Sequence, residues 1–139
     1  MGLDNGILIR RKQNEKPNIT LLLKPFTMPY DTEERYSYEV CYWRKCWNVR
    51  QAIIDHVLGD GYEDCTDVNL TSGQVLDIIE ILSNYNEENW SPKGCFFDSI
   101  WTWEEHEPHN TRHIENLKRV YELMTEYPED IEVWFYDSY

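Results

Sequence analysis

Cys41-Tyr42-Trp43-Arg44-Lys45-Cys46-Trp47-Asn48-Val49-Arg50 is the stretch where the periodicity of the chain changes. Before it, Tyr36 to Tyr42 alternates loosely, with Tyr36, Tyr38, Val40 and Tyr42 on one side, which reads as a short strand. From about Trp43 the period is that of a helix, with Trp47, Ile53, Ile54, Val57 and Leu58 on one side and Gly59-Asp60-Gly61 ending it. A strand running directly into a helix sets the expected class.

The same test applied outward gives the other elements. Asp4-Asn5-Gly6 reads as a turn and Ile7 to Arg11 as a first strand; Lys16-Pro17-Asn18 reads as a second turn and Ile19 to Leu23 as the hairpin partner, ended by Pro25. Pro29 to Glu34 is polar and turn-like. Thr71-Ser72-Gly73-Gln74 has the form of a capping box, and Val75, Ile78, Ile79 and Leu82 follow at helical spacing. Gly94 to Trp101 reads as a strand. Asn110 or Thr111 is the expected cap of a third helix with Ile114, Leu117, Val120, Tyr121 and Met124 as its apolar face, stopped by Pro128. Ile131 to Tyr136 alternates as a final strand of a sheet wet on one side. Helices and strands do not alternate regularly, so the expected architecture is α+β: about three helices packed on a small, mainly antiparallel sheet, with residues 1–139 as a single domain.

Charge is distributed unevenly. Residues 1–50 carry nine Lys/Arg and six Asp/Glu (net +3), whereas residues 51–139 carry four and twenty (net −16), for a total of −13. Such a chain repels nucleic-acid phosphates and anionic lipid, so neither direct nucleic-acid binding nor membrane association is expected. The apolar runs are too short and interrupted to span a bilayer, and the N-terminal residues lack the pattern of a signal peptide, which makes a cytoplasmic location the expectation. The four cysteines, 41, 46, 65 and 95, lack the paired spacing of a structural zinc site and read as reduced thiols.

No glycine-rich phosphate loop, nucleophile elbow or His-Glu-x-x-His is present. Three regions remain. His109 and His113 would share a helix face if one helix held both, but Pro108 and a cap at Asn110 place His109 outside it, and neither metal nor cofactor is expected. Asp60, Glu63, Asp64 and Asp67, with Glu104, Glu105 and Glu107 and with Glu129 and Asp130, are either a solvated face or an acidic surface that imitates nucleic acid and docks on a basic protein. In the opening stretch, Arg44 and Lys45 would lie in the first helical turn, where the dipole favours an anion, so they need an anionic partner. That partner is an internal carboxylate or a bound ligand; Asp4, Tyr42, Trp43, Arg44, Lys45 and Arg50 are the candidate ligand-binding residues.

Met1-Gly2-Leu3-Asp4, Tyr42-Trp43-Arg44-Lys45, Glu63-Asp64-Cys65 before a capped helix, Gly94-x-Phe96-Phe97 and a short aromatic C-terminal strand occur in order along most of the chain. That ordered set resembles a group of small, uncharacterised phage and prophage proteins. The resemblance implies a phage or mobile-element setting in a bacterial cytoplasm rather than a reaction. The leading expectation is therefore an acidic accessory, counter-defence or inhibitor protein, without enzymatic activity, that binds a basic host protein. The alternative is a small-molecule or nucleotide binder, or an enzyme, with an anion site at Arg44 and Lys45.

Overall fold

The computed structural model describes residues 4–12, 22–23, 25–31, 36–90 and 101–138. Five strands, β1 (Asp4–Arg11), β2 (Thr27–Asp31), β3 (Tyr36–Arg44), β4 (Val68–Leu70) and β5 (Ile131–Ser138), form one antiparallel sheet in the order β2-β3-β1-β5-β4. Among the described residues the helices α1 (Trp47–Ile53), α2 (Ser72–Ser83) and α3 (Trp103–Glu126) complete the α+β fold.

One face of each central strand alternates into the core. Ile7 and Ile9 of β1 and Val133 and Phe135 of β5 are fully buried, as are Val49 and Ile53 of α1, Val75, Ile78 and Leu82 of α2, and Leu117 and Val120 of α3. The helical residues recur at three- and four-residue intervals, so each helix presents a single apolar stripe to the others. Burying each such side chain contributes roughly 1.5–3 kcal/mol. Among the described residues no helix is long and apolar enough to cross a membrane.

Several expected elements are placed differently. Asn5 and Gly6 lie inside β1 rather than in a turn: Asn5 points into the core, and the Tyr136 ring lies across Gly6, where a Cβ would come within 2.8 Å of it. β1 pairs with β3 on one side and β5 on the other, so neither side is left for a hairpin partner at 19–23; Leu22 and Leu23 are helical, and 19–21 lie outside the described residues, as does the turn at 16–18. Thr27–Asp31, in part expected as a turn, is edge strand β2. Its register shifts between Thr27 and Tyr30, where Pro29 sits, and an edge strand with an irregularity is where a sheet tolerates a residue lacking an N–H. The expected strand at 94–101 falls outside the described residues apart from Trp101, which lies in a bend.

The strand–helix junction is sharper than its periodicity implies. Trp43 and Arg44 complete β3, Lys45 takes a left-handed conformation (φ 55°), and α1 begins only at Trp47. The first-turn position expected for Arg44 and Lys45 is thereby corrected: an anion they met would not be held by a helix N-terminus. At its far end α1 passes into a wide π-type turn, Ile54–Leu58, closed by Gly59 at φ 79°.

The largest difference is the start of α3. It begins at Trp103, not after Asn110, because Thr102 and Glu105 form a complete capping box of the same type as Thr71 and Gln74 before α2. Pro108 lies within the second turn, where its missing N–H leaves the Glu104 carbonyl without its helical donor, and the ring is exposed. Asn110 caps a different helix: its side-chain amide donates to the Leu82 carbonyl in the last turn of α2 at 2.9 Å.

Candidate functional site

β2 covers only the first part of β3, pairing with Tyr36 to Glu39. Beyond that, the side of β3 facing away from β1 is met by side chains of α3 and of the bend before it. Asn116 donates to the Val40 carbonyl (3.0 Å), the Tyr42 N–H makes a long contact to His113 Nε2 (3.5 Å), and Trp101 Nε1 donates to the Arg44 carbonyl (2.9 Å). Backbone groups at alternate residues of an edge strand point outward, which is why 40, 42 and 44 are the ones capped.

The early start of α3 puts His106, His109, His113 and Asn116 at i, i+3, i+7 and i+10, one stripe of the helix facing this edge. Two cavities of about 290 Å³ each lie along the junction. The first is walled by Tyr42, Trp43, Arg44 and Cys46 on the strand side. Trp101, Glu105, His106 and His109 close it on the helix side. The second has Glu39, Val40 and Tyr42 opposite His109, Arg112, His113 and Asn116. Tyr42 and His109 belong to both and divide one cleft into two chambers.

The inner wall is aromatic and buried. His106 is 5% exposed and stacks on Trp90 (ring centroids 4.0 Å apart, planes at 15°), and Trp90 donates its Nε1–H to the Trp101 carbonyl. Trp43, 1% exposed, meets the His113 ring edge-on at 5.2 Å. Burial, helped by the neighbouring His109, lowers the His106 pKa to about 4; burial, then His106, His109 and Arg112, lowers that of His113 to about 3. Both rings are therefore neutral near pH 7. Since His113 Nε2 faces a backbone N–H, its proton sits on Nδ1. On the open side, Arg112 donates to His109 Nδ1 at 2.8 Å, which leaves the His109 proton on Nε2 when the ring is neutral.

Polar groups remain unsatisfied here. Trp43 Nε1, His106 Nε2 and His113 Nδ1 are buried without a hydrogen-bond partner, as are both amide atoms of Asn5, which pairs with Trp43 across the sheet. Each such group costs about 1–3 kcal/mol unless something occupies it.

The expected ligand-binding residues are thus only partly brought together. Tyr42, Trp43 and Arg44 line the first chamber; Lys45 does not. Asp4 pairs with Arg44 across the sheet, and its carboxylate accepts the Tyr42 hydroxyl proton (2.8 Å), a bond that together with burial raises the Tyr42 pKa. Arg50 belongs elsewhere. It is buried, donating from Nε to Asp137 (2.9 Å) and from Nη2 to Asp64 (2.9 Å), while its guanidinium lies over Trp47 at 5.7 Å. Tyr62 and the Cys65 N–H complete the Asp137 shell. Arg50 thus holds internal carboxylates.

The acidic groups do not make one surface. Asp60, Glu63, Asp64 and Asp67 precede β4 near the Asp137 end of β5, and Glu104, Glu105 and Glu107 open α3 near Arg44, at the end of the sheet where Asp4 faces Arg44 and Ser138. Glu129 and Asp130 sit before β5 at the opposite end, where Lys12 donates to the Pro128 carbonyl. Glu105 is committed to the α3 cap, and its bonds from the Thr102 backbone and hydroxyl lower its pKa. Among the described residues no group of three or more His, Cys, Asp or Glu is arranged to hold a metal ion, and Cys41, Cys46 and Cys65 are free thiols.

The fold and cleft define an α+β protein with an aromatic, histidine-walled pocket at a capped sheet edge. Comparison with family models, with curated proteins and with solved structures finds no match to the chain.

Proposed function

We propose that this is a small-molecule-binding protein whose ligand occupies the cleft between β3 and α3. The observation that carries the reading is the cleft itself: chambers large enough for a small molecule, lined by Trp43, Trp101, His106 and His113 together with Arg44. Ligand sites characteristically combine an aromatic lining with a few placed polar groups. A screen of small aromatic compounds by thermal unfolding tests it. A ligand present at one hundred times its Kd stabilises by about 2.7 kcal/mol. Arg44→Ala, at an exposed side chain, is expected to remove that gain while leaving the free protein's unfolding temperature unchanged. A screen without any stabilising compound counts against the reading.

A second reading is favoured by the charge alone: net −16 over residues 51–139 supports an acidic accessory protein that docks on a basic host protein, in keeping with the resemblance to phage and prophage proteins. The acidic loop Asp60 to Asp67 and the exposed Glu104 and Glu107 at the start of α3 would form its contact surface. Immobilised protein should then retain a basic host protein at low salt and release it at high salt; retention of nothing basic rejects that reading.

A further inference from the structure

We infer that the first chamber selects a small, flat, carboxylate-bearing ligand of one or two rings. This rests on the cleft being a ligand site.

Size sets the first limit. At about 290 Å³ the chamber lies at the lower end of the range for small-molecule pockets, enough for a single or fused pair of rings. Shape sets the second: Trp43, Trp101 and His106 offer ring surfaces, and His106 is fixed by its stack on Trp90. Flat conjugated ligands match such walls through offset or edge contacts.

The exposed charge in the lining is a donor: a guanidinium only donates, so Arg44 calls for an acceptor. The one carboxylate among the described lining residues, Glu105, has its Oε1 taken by the Thr102 backbone N–H and hydroxyl. Arg44 makes no ion pair with a carboxylate among the described residues, although Asp4 faces it across the sheet. Asp4 is engaged by the Tyr42 hydroxyl. A ligand carboxylate supplies the missing charge, and a planar carboxylate suits a guanidinium in two-point contact. The overall charge of −13 opposes an anion, but beyond about 8 Å that field is screened at physiological ionic strength, so the groups inside the chamber decide.

The probes are sodium benzoate and indole-3-carboxylate, their neutral amides benzamide and indole-3-carboxamide, and tryptamine as a cation, each titrated calorimetrically into the intact protein and into Arg44→Gln and Trp43→Phe variants at pH 7. At least one carboxylate is expected to bind ten-fold or more tighter than its amide. Arg44→Gln should abolish that preference without shifting the free protein's unfolding temperature, and Trp43→Phe should weaken carboxylate and amide together. An amide or amine that binds as tightly as the carboxylate, or a carboxylate preference that survives Arg44→Gln, overturns the inference while leaving the cleft a ligand site. Binding of none of the five probes overturns the inference and the ligand-site reading together.

Discussion

Replacing Arg50 by methionine is the sharpest test of how this fold is held. The Asp137 side chain is completely buried and accepts hydrogen bonds from the Arg50 Nε–H (2.9 Å), the Tyr62 hydroxyl (2.6 Å) and the Cys65 N–H (3.4 Å). The second Arg50 bond, to Asp64, is a different matter, because the Asp64 side chain is 66% exposed and solvent screens the pair. Losing that contact costs about 0–1 kcal/mol. Losing the partner of a buried carboxylate costs about 3–5 kcal/mol, since the charge stays buried without compensation. Arg50→Met is therefore expected to lose 3–5 kcal/mol, and Asp64→Ala less than about 1 kcal/mol, by the same estimates. With a urea dependence near 2 kcal/mol per molar, typical for a small domain, Arg50→Met would lower the unfolding midpoint by roughly 2 M, readable by tryptophan fluorescence. Adding Asp137→Asn should restore at least about 2 kcal/mol, because the neutral amide no longer needs the cation. A loss below about 1 kcal/mol for Arg50→Met, or strictly additive losses in the double variant, would refute the assignment of Arg50 to an internal pair.

Other expectations follow from single contacts. Thr102→Ala removes a capping box and should cost about 1 kcal/mol in urea unfolding, with Thr71→Ala losing a similar amount at α2. Gly6→Ala forces a Cβ against the Cys41 carbonyl and the Tyr136 ring and should cost about 1–3 kcal/mol or more, measured by thermal unfolding. His106 and His113 titrate lower in the folded protein (about 4 and about 3) than in the unfolded chain, taken as the ordinary 6.5, so the unfolded state binds more protons between those values. Their contribution is complete above pH 6.5 and is lost as pH falls toward 4 and then 3, at up to about 1.4 kcal/mol per pH unit for each ring. An acid titration of stability should be shallower in His106→Phe than in the parent.

What could be read from the chain and what could not divides along physical lines. β3, β5 and α2 carry their evidence locally: alternation in Tyr36 to Tyr42 and in Ile131 to Tyr136, and Thr71 to Gln74 followed by an apolar stripe. The start of α3 carried equal local evidence, Thr102-x-x-Glu105, which a reading that takes Pro108 and a cap at Asn110 as the helix boundary passes over. A proline in the second turn withdraws one hydrogen bond and crowds the Glu104 carbonyl, and a 24-residue helix with a complete capping box continues through it. Admitting it would have put His106, His109 and His113 on one face and pointed to the cleft. Other features were beyond local reading. Nothing near Arg50 says that its partner is Asp137, eighty-seven residues on, and nothing near Asn110 says that it caps α2. Likewise Thr27–Asp31 is a strand because β3 offers it an edge, not because its own sequence, with Pro29 inside it, favours extension.

The position of the cleft has a mechanical consequence. An open strand edge is a hazard, since its unpaired N–H and C=O groups invite other strands, and among the described residues no strand pairs with this side of β3 from Val40 to Arg44 once β2 stops. Among the described residues side chains close it rather than another strand: Asn116, His113 and Trp101 each take one backbone group. Side chains that reach across from a helix hold it farther off than a paired strand would stand, and the space left over is the pair of chambers around Tyr42 and His109. Edge protection and pocket are thus one construction. On the proposed ligand-site reading, substitutions at Arg44, an exposed side chain, would alter binding without loosening the sheet, whereas substitutions at His113, whose ring caps the Tyr42 N–H, would do both.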